Sequence, residues 1–430
     1  MVNAVSAGYR IPFSRRSKSP AIRRAKFAVN RLAPLHERNF RRFYAGYVTS
    51  LLGTSMSGVA LVFAVLGSGG TAADLGYVEA ARIVPQVVFV LGGGVLADRL
   101  GRRPMMLGAD TLRGCAQAAL AAALFLGRPQ ICLFMLLAAL VGVGEALFSP
   151  ALDALTPQIA PKDALVSANA LTGAATAATR IAGPALAGIL VAVSGPAPVI
   201  AVDAASYGAS VVALAMLRLP GSRPAPVRPL LREFGEGWRQ FSARTWLWVI
   251  TVQFALFNLI TWGPYLVLGP VLARDYLGGA RPWGLIQAAG GAGALLAGAL
   301  ALGRKPSRPL LTATLATFGY PVPCLLLALH APGLAVGAGA FIAGAGGALF
   351  VTFCITTMQQ QLPDEALARG SSFVTFGAFG LGALGLALAG PVAQAAGISW
   401  VLGAGGVWSV LSSAVVLALP PVRAVRWRSR

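Results

Sequence analysis

Long apolar segments dominate this sequence, and their number and length constrain its fold more than any other feature. A helix needs about 20 mostly apolar residues to cross the hydrocarbon core of a bilayer. Backbone polar groups find no water inside lipid, so segments of this length are expected to be helical. Twelve such segments are present, at residues 45–66, 75–97, 104–126, 130–149, 169–194, 197–218, 246–272, 283–302, 309–329, 333–356, 371–393 and 398–420. The sequence therefore predicts an all-α integral membrane protein with twelve transmembrane helices.

The basic residues lie almost entirely on one side of this predicted topology. Of the 35 Lys and Arg residues, 29 lie in the two tails and the even-numbered loops. Three exceptions lie in odd-numbered loops, Arg128, Arg274 and Arg281, and three lie within spans, Arg82, Arg113 and Arg180. Cytoplasmic loops carry an excess of Lys and Arg. We therefore expect a multi-pass protein of the plasma membrane, here the bacterial inner membrane, with both termini in the cytoplasm. Because topology explains the net charge of +21, we expect no nucleic-acid partner.

The longest gap between predicted spans, residues 219–245, divides six spans from six. The expected domains are a basic cytoplasmic tail (1–41), a six-helix bundle (42–218), a cytoplasmic linker (219–245), a second six-helix bundle (246–421) and a second basic cytoplasmic tail (422–430). Within the linker, Leu231, Phe234, Trp238 and Phe241 fall near one face of a helix. This pattern predicts a short amphipathic helix on the membrane surface.

The two six-span units share one sequence register. At an offset of 202 residues, the segment LGRRP (100–104) falls on LGRKP (302–306). The same offset pairs glycines in spans 5 and 11 and after them, Gly183 with Gly385, Gly188 with Gly390 and Gly195 with Gly397. Parallel repeats of this kind occur in transporters, where the substrate path lies between the halves near the bilayer midplane. The second copy lacks an acid, because Leu300 stands opposite Asp98.

The segment between spans 2 and 3, GGGVLADRLGRRP, resembles the loop signature of the major facilitator superfamily, G-x-x-x-D-R-x-G-R-R/K. Further segments are similar to the drug and siderophore exporter branch that contains the enterobactin exporter: NFRRFYAGYVTSLLG, ADTLRG, ALFSPALDALTPQI and TTMQQQLPDEALARG. The resemblance covers about residues 33 to 421. It implies the major facilitator fold, with two pseudo-repeated six-helix bundles.

The resemblance also implies a conformational latch that joins the halves on the cytoplasmic side. Asp98 would contact the start of span 11 near residues 370–373, and Arg102 would pair with Asp153; both contacts would break when the protein opens inward. The latch residues predicted in this way are Gly94, Asp98, Arg99, Gly101, Arg102, Arg103, Asp110, Arg113 and Asp153. The alternative is a basic loop that only sets topology, although an acid is not needed for that role.

Span 5 contains the segment TRIAGPALAGIL, in which Pro184 removes a backbone hydrogen-bond donor and favours a kink. With Gly183 and Gly188 it resembles the Gly-Pro signature of superfamily antiporters, although with fewer glycines. The alternative is a packing site, because small residues are common wherever membrane helices approach closely.

Ionisable side chains inside a membrane are costly and indicate functional sites. Glu79, Asp203 and Glu145, in that order, are the candidates for proton coupling. Glu79 and Arg82 share a helix face and can neutralise each other. Arg180 has no acidic neighbour in its own span, so Glu145 and Asp203 are its candidate partners on other helices.

Span 7 differs from the other C-terminal spans in its polar and aromatic side chains, which suit an amphipathic or aromatic ligand. The predicted cavity residues are Arg82, Arg180, Gln253, Asn258, Trp262, Tyr265 and Gln287. The alternative places Trp262 and Tyr265 in the aromatic belt at the membrane surface.

These features predict a secondary transporter, most simply a proton-coupled exporter of amphipathic small molecules such as drugs, siderophores or secondary metabolites. The sequence contains no Walker-type nucleotide loop and no metal or nucleophile motif, so we expect neither an enzyme nor a cofactor. We expect the protein to function as a monomer. Two alternatives remain, an importer or facilitator of a small polar solute and a transport-inactive membrane sensor or scaffold.

Overall fold

The computed structural model describes residues 32–89, 101–161, 164–217, 241–304, 306–362 and 364–426, and these form twelve long helices. The helices of the N-terminal half are α1 (Arg38–Gly67), α2 (Ala72–Phe89), α3 (Arg102–Leu126), α4 (Ile131–Ile159), α5 (Leu165–Ser194) and α6 (Pro196–Ala215). Those of the C-terminal half are α7 (Thr245–Leu277), α8 (Ala280–Ala301), α9 (Pro309–Ala328), α10 (Gly333–Gln361), α11 (Asp364–Ala396) and α12 (Ile398–Ala418).

Each helix overlaps one predicted span. Ten of them are long and apolar enough to cross a membrane. The other two, α2 and α3, form where spans 2 and 3 were predicted but are more polar, with Glu79 and Arg82 in α2 and Asp110 and Arg113 in α3. The all-α membrane fold is confirmed, whereas the crossing of the bilayer by α2 and α3 stays a prediction.

Two helices of the C-terminal half contain irregular turns. In α7, π-helical turns occupy Asn258–Trp262 and Ala273–Leu277, while a 3-10 turn at Thr317–Gly319 interrupts α9. A proline closely follows the first π turn of α7 and the 3-10 turn of α9, at Pro264 and Pro321, where the ring cannot continue the hydrogen-bond ladder.

Contacts between the two halves run mainly through two helix pairs, α5 with α8 and α2 with α11. Glycines that are paired by the sequence repeat make equivalent contacts between the halves. Gly188 in α5 lies against Ala280 and Gly284 of α8, and Gly390 in α11 lies against Ala73 of α2. Small residues allow this close approach.

The repeat is also visible in the backbone. Gly101 and its counterpart Gly303 have φ angles of +84° and +74°, and Gly195 and Gly397 have +79° and +90°. Glycine adopts these left-handed angles without steric cost. Equivalent turns therefore precede or end equivalent helices in the two halves.

The hydrophobic core shows where the halves join. We call the end of the bundle at Ala72 and Ala280 the odd-loop end, and the end at Arg38 and Thr245 the termini end. One large cluster includes residues of both halves towards the odd-loop end, such as Leu75 and Leu386. Towards the termini end, the described residues form separate clusters, one in the N-terminal half and two in the C-terminal half. The halves therefore meet at the odd-loop end and separate towards the termini end.

The predicted amphipathic helix of the linker falls largely on residues 218–240, outside the described residues. Phe241, the last of its apolar positions, is buried against Leu247 and Met358.

Candidate functional site

A cavity of about 790 Å³ lies between the two halves. Helices α1, α2 and α5 line it on one side, and α7, α8, α9 and α10 line it on the other. Ligand sites of drug-sized molecules have volumes of about 300–1,000 Å³. The cavity is therefore large enough for such a molecule.

Aromatic rings form the wall of the cavity in the C-terminal half. The ring centroids of Phe257 and Tyr320 are 4.3 Å apart, those of Trp262 and Tyr265 are 5.3 Å apart, and Phe257 and Trp262 are separated by 6.3 Å. Phe254 stacks on Phe257 with a centroid distance of 6.2 Å. Rings in contact at these distances present a continuous apolar surface that can pack against another ring.

Six of the seven predicted cavity residues line this cavity: Arg82, Arg180, Asn258, Trp262, Tyr265 and Gln287. The Tyr265 hydroxyl donates a hydrogen bond to Gln287 Oε1 at 3.1 Å, which joins α7 to α8. Trp262 is 36% exposed and is open to the cavity. Placement of both rings at the cavity argues against the alternative of an aromatic belt at the membrane surface.

The prediction that Gln253 lines the cavity was wrong. Its side-chain amide Nε2 donates to Ser413 Oγ of α12 at 3.4 Å, within the core of the C-terminal half. Gln253 precedes Asn258 by five residues, which turns it about 140° away around a regular helix.

The N-terminal half supplies two arginines to the cavity. Arg82 Nε lies 3.8 Å from Glu145 Oε2 of α4, and Gln86 Nε2 donates to the same oxygen at 2.5 Å. Arg82 therefore forms its ion pair with Glu145 on a different helix, and Glu79 is its weaker electrostatic partner. The reason is close packing of α2 on α4, where Gly142 lies against the backbone of Arg82.

Arg180 is exposed and lines the cavity. Neither of its predicted partners binds it, because Glu145 is engaged by Arg82 and Gln86, and Asp203 accepts a hydrogen bond from Gln117. Within the described part of the chain, Arg180 makes no ion pair.

Asp203 is fully buried between α1, α3 and α6. Gln117 Nε2 donates to Asp203 Oδ2 at 2.8 Å and to Ser57 Oγ at 2.6 Å. Ser206 Oγ donates to the Asp203 backbone carbonyl at 2.7 Å and lies 3.4 Å from Oδ1. The carboxyl group is thus held by neutral donors. Sequence reasoning identified Asp203 but missed Gln117, although Gln117 lies four and seven residues after Arg113 and Asp110, on the same helix face.

Asp110 and Arg113 form a second buried cluster, in which the two side chains are paired. Ser210 Oγ donates to Asp110 Oδ2 at 2.6 Å. The Arg113 guanidinium lies over the rings of Phe148 and Tyr207, 4.5 and 4.7 Å from their centroids. We expected this pair to belong to the latch between the halves, but it lies inside the N-terminal half because its face of α3 packs against α6.

The remaining latch residues fall into three groups. Gly94, Asp98 and Arg99 lie outside the described residues, as does the side chain of Asp153. Arg102 opens α3 next to Gly101. Arg103 binds within its own half, where its Nε donates to the carbonyl of Leu214 at 2.9 Å and its Nη2 to that of Ala215 at 2.5 Å. Arg103 thus caps the C-terminal end of α6, and the latch itself stays a prediction.

The segment around Pro184 remains helical, because α5 is continuous from Leu165 to Ser194. Gly183 lies against Ser55 of α1, and the Pro184 carbonyl and Gly188 lie against Gly284 of α8. These contacts give the small residues a packing role at the junction of the halves. Their meaning for antiport stays a prediction.

Comparison with known proteins identifies the family. The profile of the transmembrane secretion effector family, MFS_3, matches residues 29–429. The multidrug efflux pump Tap of Mycobacterium tuberculosis is 28% identical over 403 residues, which cover 86% of this chain and 91% of that protein. An uncharacterised MFS-type transporter of Sinorhizobium fredii is 31% identical over 365 residues, covering 80% of this chain and 86% of that protein. Macrolide efflux protein A of Streptococcus pyogenes is 27% identical over 267 residues, or 61% of this chain, and the match spans 66% of that relative.

Solved structures share the fold at low sequence identity. The nucleoside transporter NupG aligns with a TM-score of 0.67 and 12% identity, covering 89% of this chain and 98% of that one. A bacterial homologue of the human lysosomal transporter Spinster aligns with a TM-score of 0.65 and 14% identity, covering 91% and 98%. The chain therefore belongs to the transmembrane secretion effector family of the major facilitator superfamily, and it is a multi-pass membrane transporter of small molecules rather than an enzyme.

Proposed function

We propose that this protein exports amphipathic small molecules, such as drugs, siderophores or secondary metabolites, in exchange for protons. The observation that carries this proposal is the cavity of about 790 Å³ between the halves, with an aromatic wall that can pack against a flat apolar molecule. Two relatives that align with this chain are named efflux proteins. Their names support export of drugs as the direction and substrate type.

Alternating access is supported by the unequal contacts at the two ends of the molecule. The halves share one core towards the odd-loop end and have separate cores towards the termini end. The excess of Lys and Arg in the tails and even-numbered loops favours a cytoplasmic position for the termini end, in the plasma membrane. In that orientation the end at which the halves have separate cores faces the cytoplasm, the side from which an exporter loads its substrate.

For the proton, we favour Asp203 over Glu79 and Glu145. Asp203 is buried and accepts hydrogen bonds from neutral groups, so a proton can bind or leave without breaking an ion pair. The cation on the adjacent α3, Arg113, is paired with Asp110. Glu145 is held by Arg82 and Gln86, while Glu79 is half-buried beside the same arginine.

The test is accumulation of a broad panel of amphipathic compounds in cells that express the protein, with and without a protonophore. Wild type should lower accumulation of at least one compound, and the protonophore should abolish that effect. Asp203→Asn should lose it as well. Asp275→Asn is the matched control, because Asp275 lies on the surface and, among the described residues, pairs with the adjacent Arg274 alone.

Other outcomes contradict the proposal in distinct ways. Higher accumulation in expressing cells indicates an importer or facilitator. Equal accumulation in all strains indicates a transport-inactive sensor or scaffold. Full export by Asp203→Asn refutes the role of Asp203, and full export by Asp98→Asn refutes the proposed latch.

A further inference from the structure

The charged side chains of the central cavity are all of one sign. Among the described residues that line it, Arg82 and Arg180 are charged and no side chain is acidic. The other polar groups are neutral, and they include Thr54, Asn258 and Gln287. The described lining of the cavity therefore presents positive charge to a ligand.

The two arginines differ in how far their charge is neutralised. Arg82 lies beside Glu145 at 3.8 Å and interacts electrostatically with Glu79. Arg180 is exposed to the cavity and has no acidic partner within the described part of the chain. A cation within a membrane-spanning helix is costly and indicates function by default. The positive charge of Arg180 is therefore the one that remains for a ligand.

The aromatic wall completes a site with two different sides. Arg180 lies on α5 in the N-terminal half, and Trp262 and Phe257 lie on α7 in the C-terminal half, across the same cavity. The guanidinium group binds carboxylates and phosphates through paired hydrogen bonds in its plane. An amphipathic cation would instead meet an unneutralised like charge, which opposes binding.

We propose that the substrate is an amphipathic anion, whose carboxylate, sulfonate or phosphate binds Arg180 and whose apolar or aromatic body packs against Trp262 and Phe257. This inference rests on the proposed function, because it names the substrate class of the same cavity. Binding to both halves at once also gives the ligand a way to influence their relative position.

The test compares two dyes with the same xanthene ring and opposite charge, anionic fluorescein and cationic rhodamine 6G. Binding to the purified full-length protein in detergent is measured by fluorescence anisotropy. Wild type should bind fluorescein at least about tenfold more tightly than rhodamine 6G, as expected for one hydrogen-bonded charge pair. Equal or tighter binding of rhodamine 6G overturns the inference, and this comparison needs no variant.

Variants then locate the charge that is responsible. Arg180→Gln should weaken fluorescein binding about tenfold or more, and Arg180→Lys should weaken it less because the charge is kept. Arg128→Gln is the matched control, since Arg128 lies exposed in the loop between α3 and α4. Thermal unfolding of each purified variant reports whether it is folded. Unchanged fluorescein binding by Arg180→Gln overturns the assignment.

Cellular export of the two dyes separates this inference from the proposed function. If wild type binds fluorescein selectively but changes the accumulation of neither dye nor of the compound panel, the proposed function fails and the ligand class stands. If compounds of the panel are exported but fluorescein does not bind in preference to rhodamine 6G, the ligand class fails and export stands.

Discussion

Substitution of Gly390 or Gly188 by alanine should disfavour closure of the halves at the odd-loop end. A Cβ atom at position 390 would overlap the backbone N and Cα of Ala73, and one at position 188 would lie 2.7 Å from the Ala280 carbonyl oxygen. These neighbours are backbone atoms of helices in the opposite half. Backbone atoms cannot move away by rotation of a side chain. Gly390→Ala must therefore separate α2 from α11, and Gly188→Ala must separate α5 from α8.

The magnitude follows from the cost of such overpacking, about 1–3 kcal/mol per site. That cost corresponds to about a 5- to 160-fold change in the ratio of closed to open odd-loop ends. The effect is specific to the position. In the part of the chain that the structure describes, an added Cβ at Gly380 in α11 or Gly173 in α5 meets no neighbouring helix within 4 Å, so alanine at either position is the matched control.

The assay is the labelling of a cysteine placed at Ala280, which is 7% exposed at the start of α8. The four native cysteines are first replaced by alanine, and a membrane-impermeant maleimide is added to intact cells. Gly390→Ala should raise the labelling rate at this distant position, because the halves move as bodies, and should impair export. If Gly390→Ala and Gly380→Ala label at the same rate, the glycine contact does not control closure and the reasoning is refuted.

Two further predictions concern the stability of the N-terminal half and use thermal unfolding of the purified protein. Arg113→Gln leaves the fully buried Asp110 without its cation and should lower the free energy of unfolding by about 3–5 kcal/mol. The double variant with Asp110→Asn should recover part of that loss. An unchanged melting temperature for Arg113→Gln would contradict this prediction. Arg103→Gln removes the charged cap from the last carbonyls of α6 and should lower the free energy of unfolding by about 1 kcal/mol. Arg128→Gln, the control, should leave it unchanged. Equal melting temperatures of these two variants would argue against the cap.

The cavity shows how far sequence reasoning extends to a site. Gln253, Asn258, Trp262 and Tyr265 were predicted together, as polar and aromatic residues that recur at helical spacing in span 7. Asn258, Trp262 and Tyr265 line the cavity, whereas Gln253, five residues before Asn258, is turned towards α12. Phe257 and Tyr320 were missed because an aromatic residue in an apolar span carries no signal of its own. Only the packing of α7 against α9 makes them part of one wall.

Ion pairing across helices was the least predictable feature. The sequence placed Glu79 three residues from Arg82 and suggested that they neutralise each other. The structure pairs Arg82 with Glu145, which lies more than sixty residues away in sequence, and leaves Arg180 without an acid within the described residues. Spacing along one helix determines which side chains share its face, but not which face of a neighbouring helix they meet.

The sequence by itself determined the helical membrane fold, the approximate position of each helix and the division into two repeated halves. These properties follow from the length of each apolar segment, the position of the basic residues and the register of the repeat, which are all local or periodic. The tertiary structure decided which buried acids are paired, that the halves meet at the odd-loop end, and that the charge of Arg180 faces an aromatic wall. Such features depend on the rotation of each helix about its axis and on its neighbours, because close packing brings together residues that are distant in the chain.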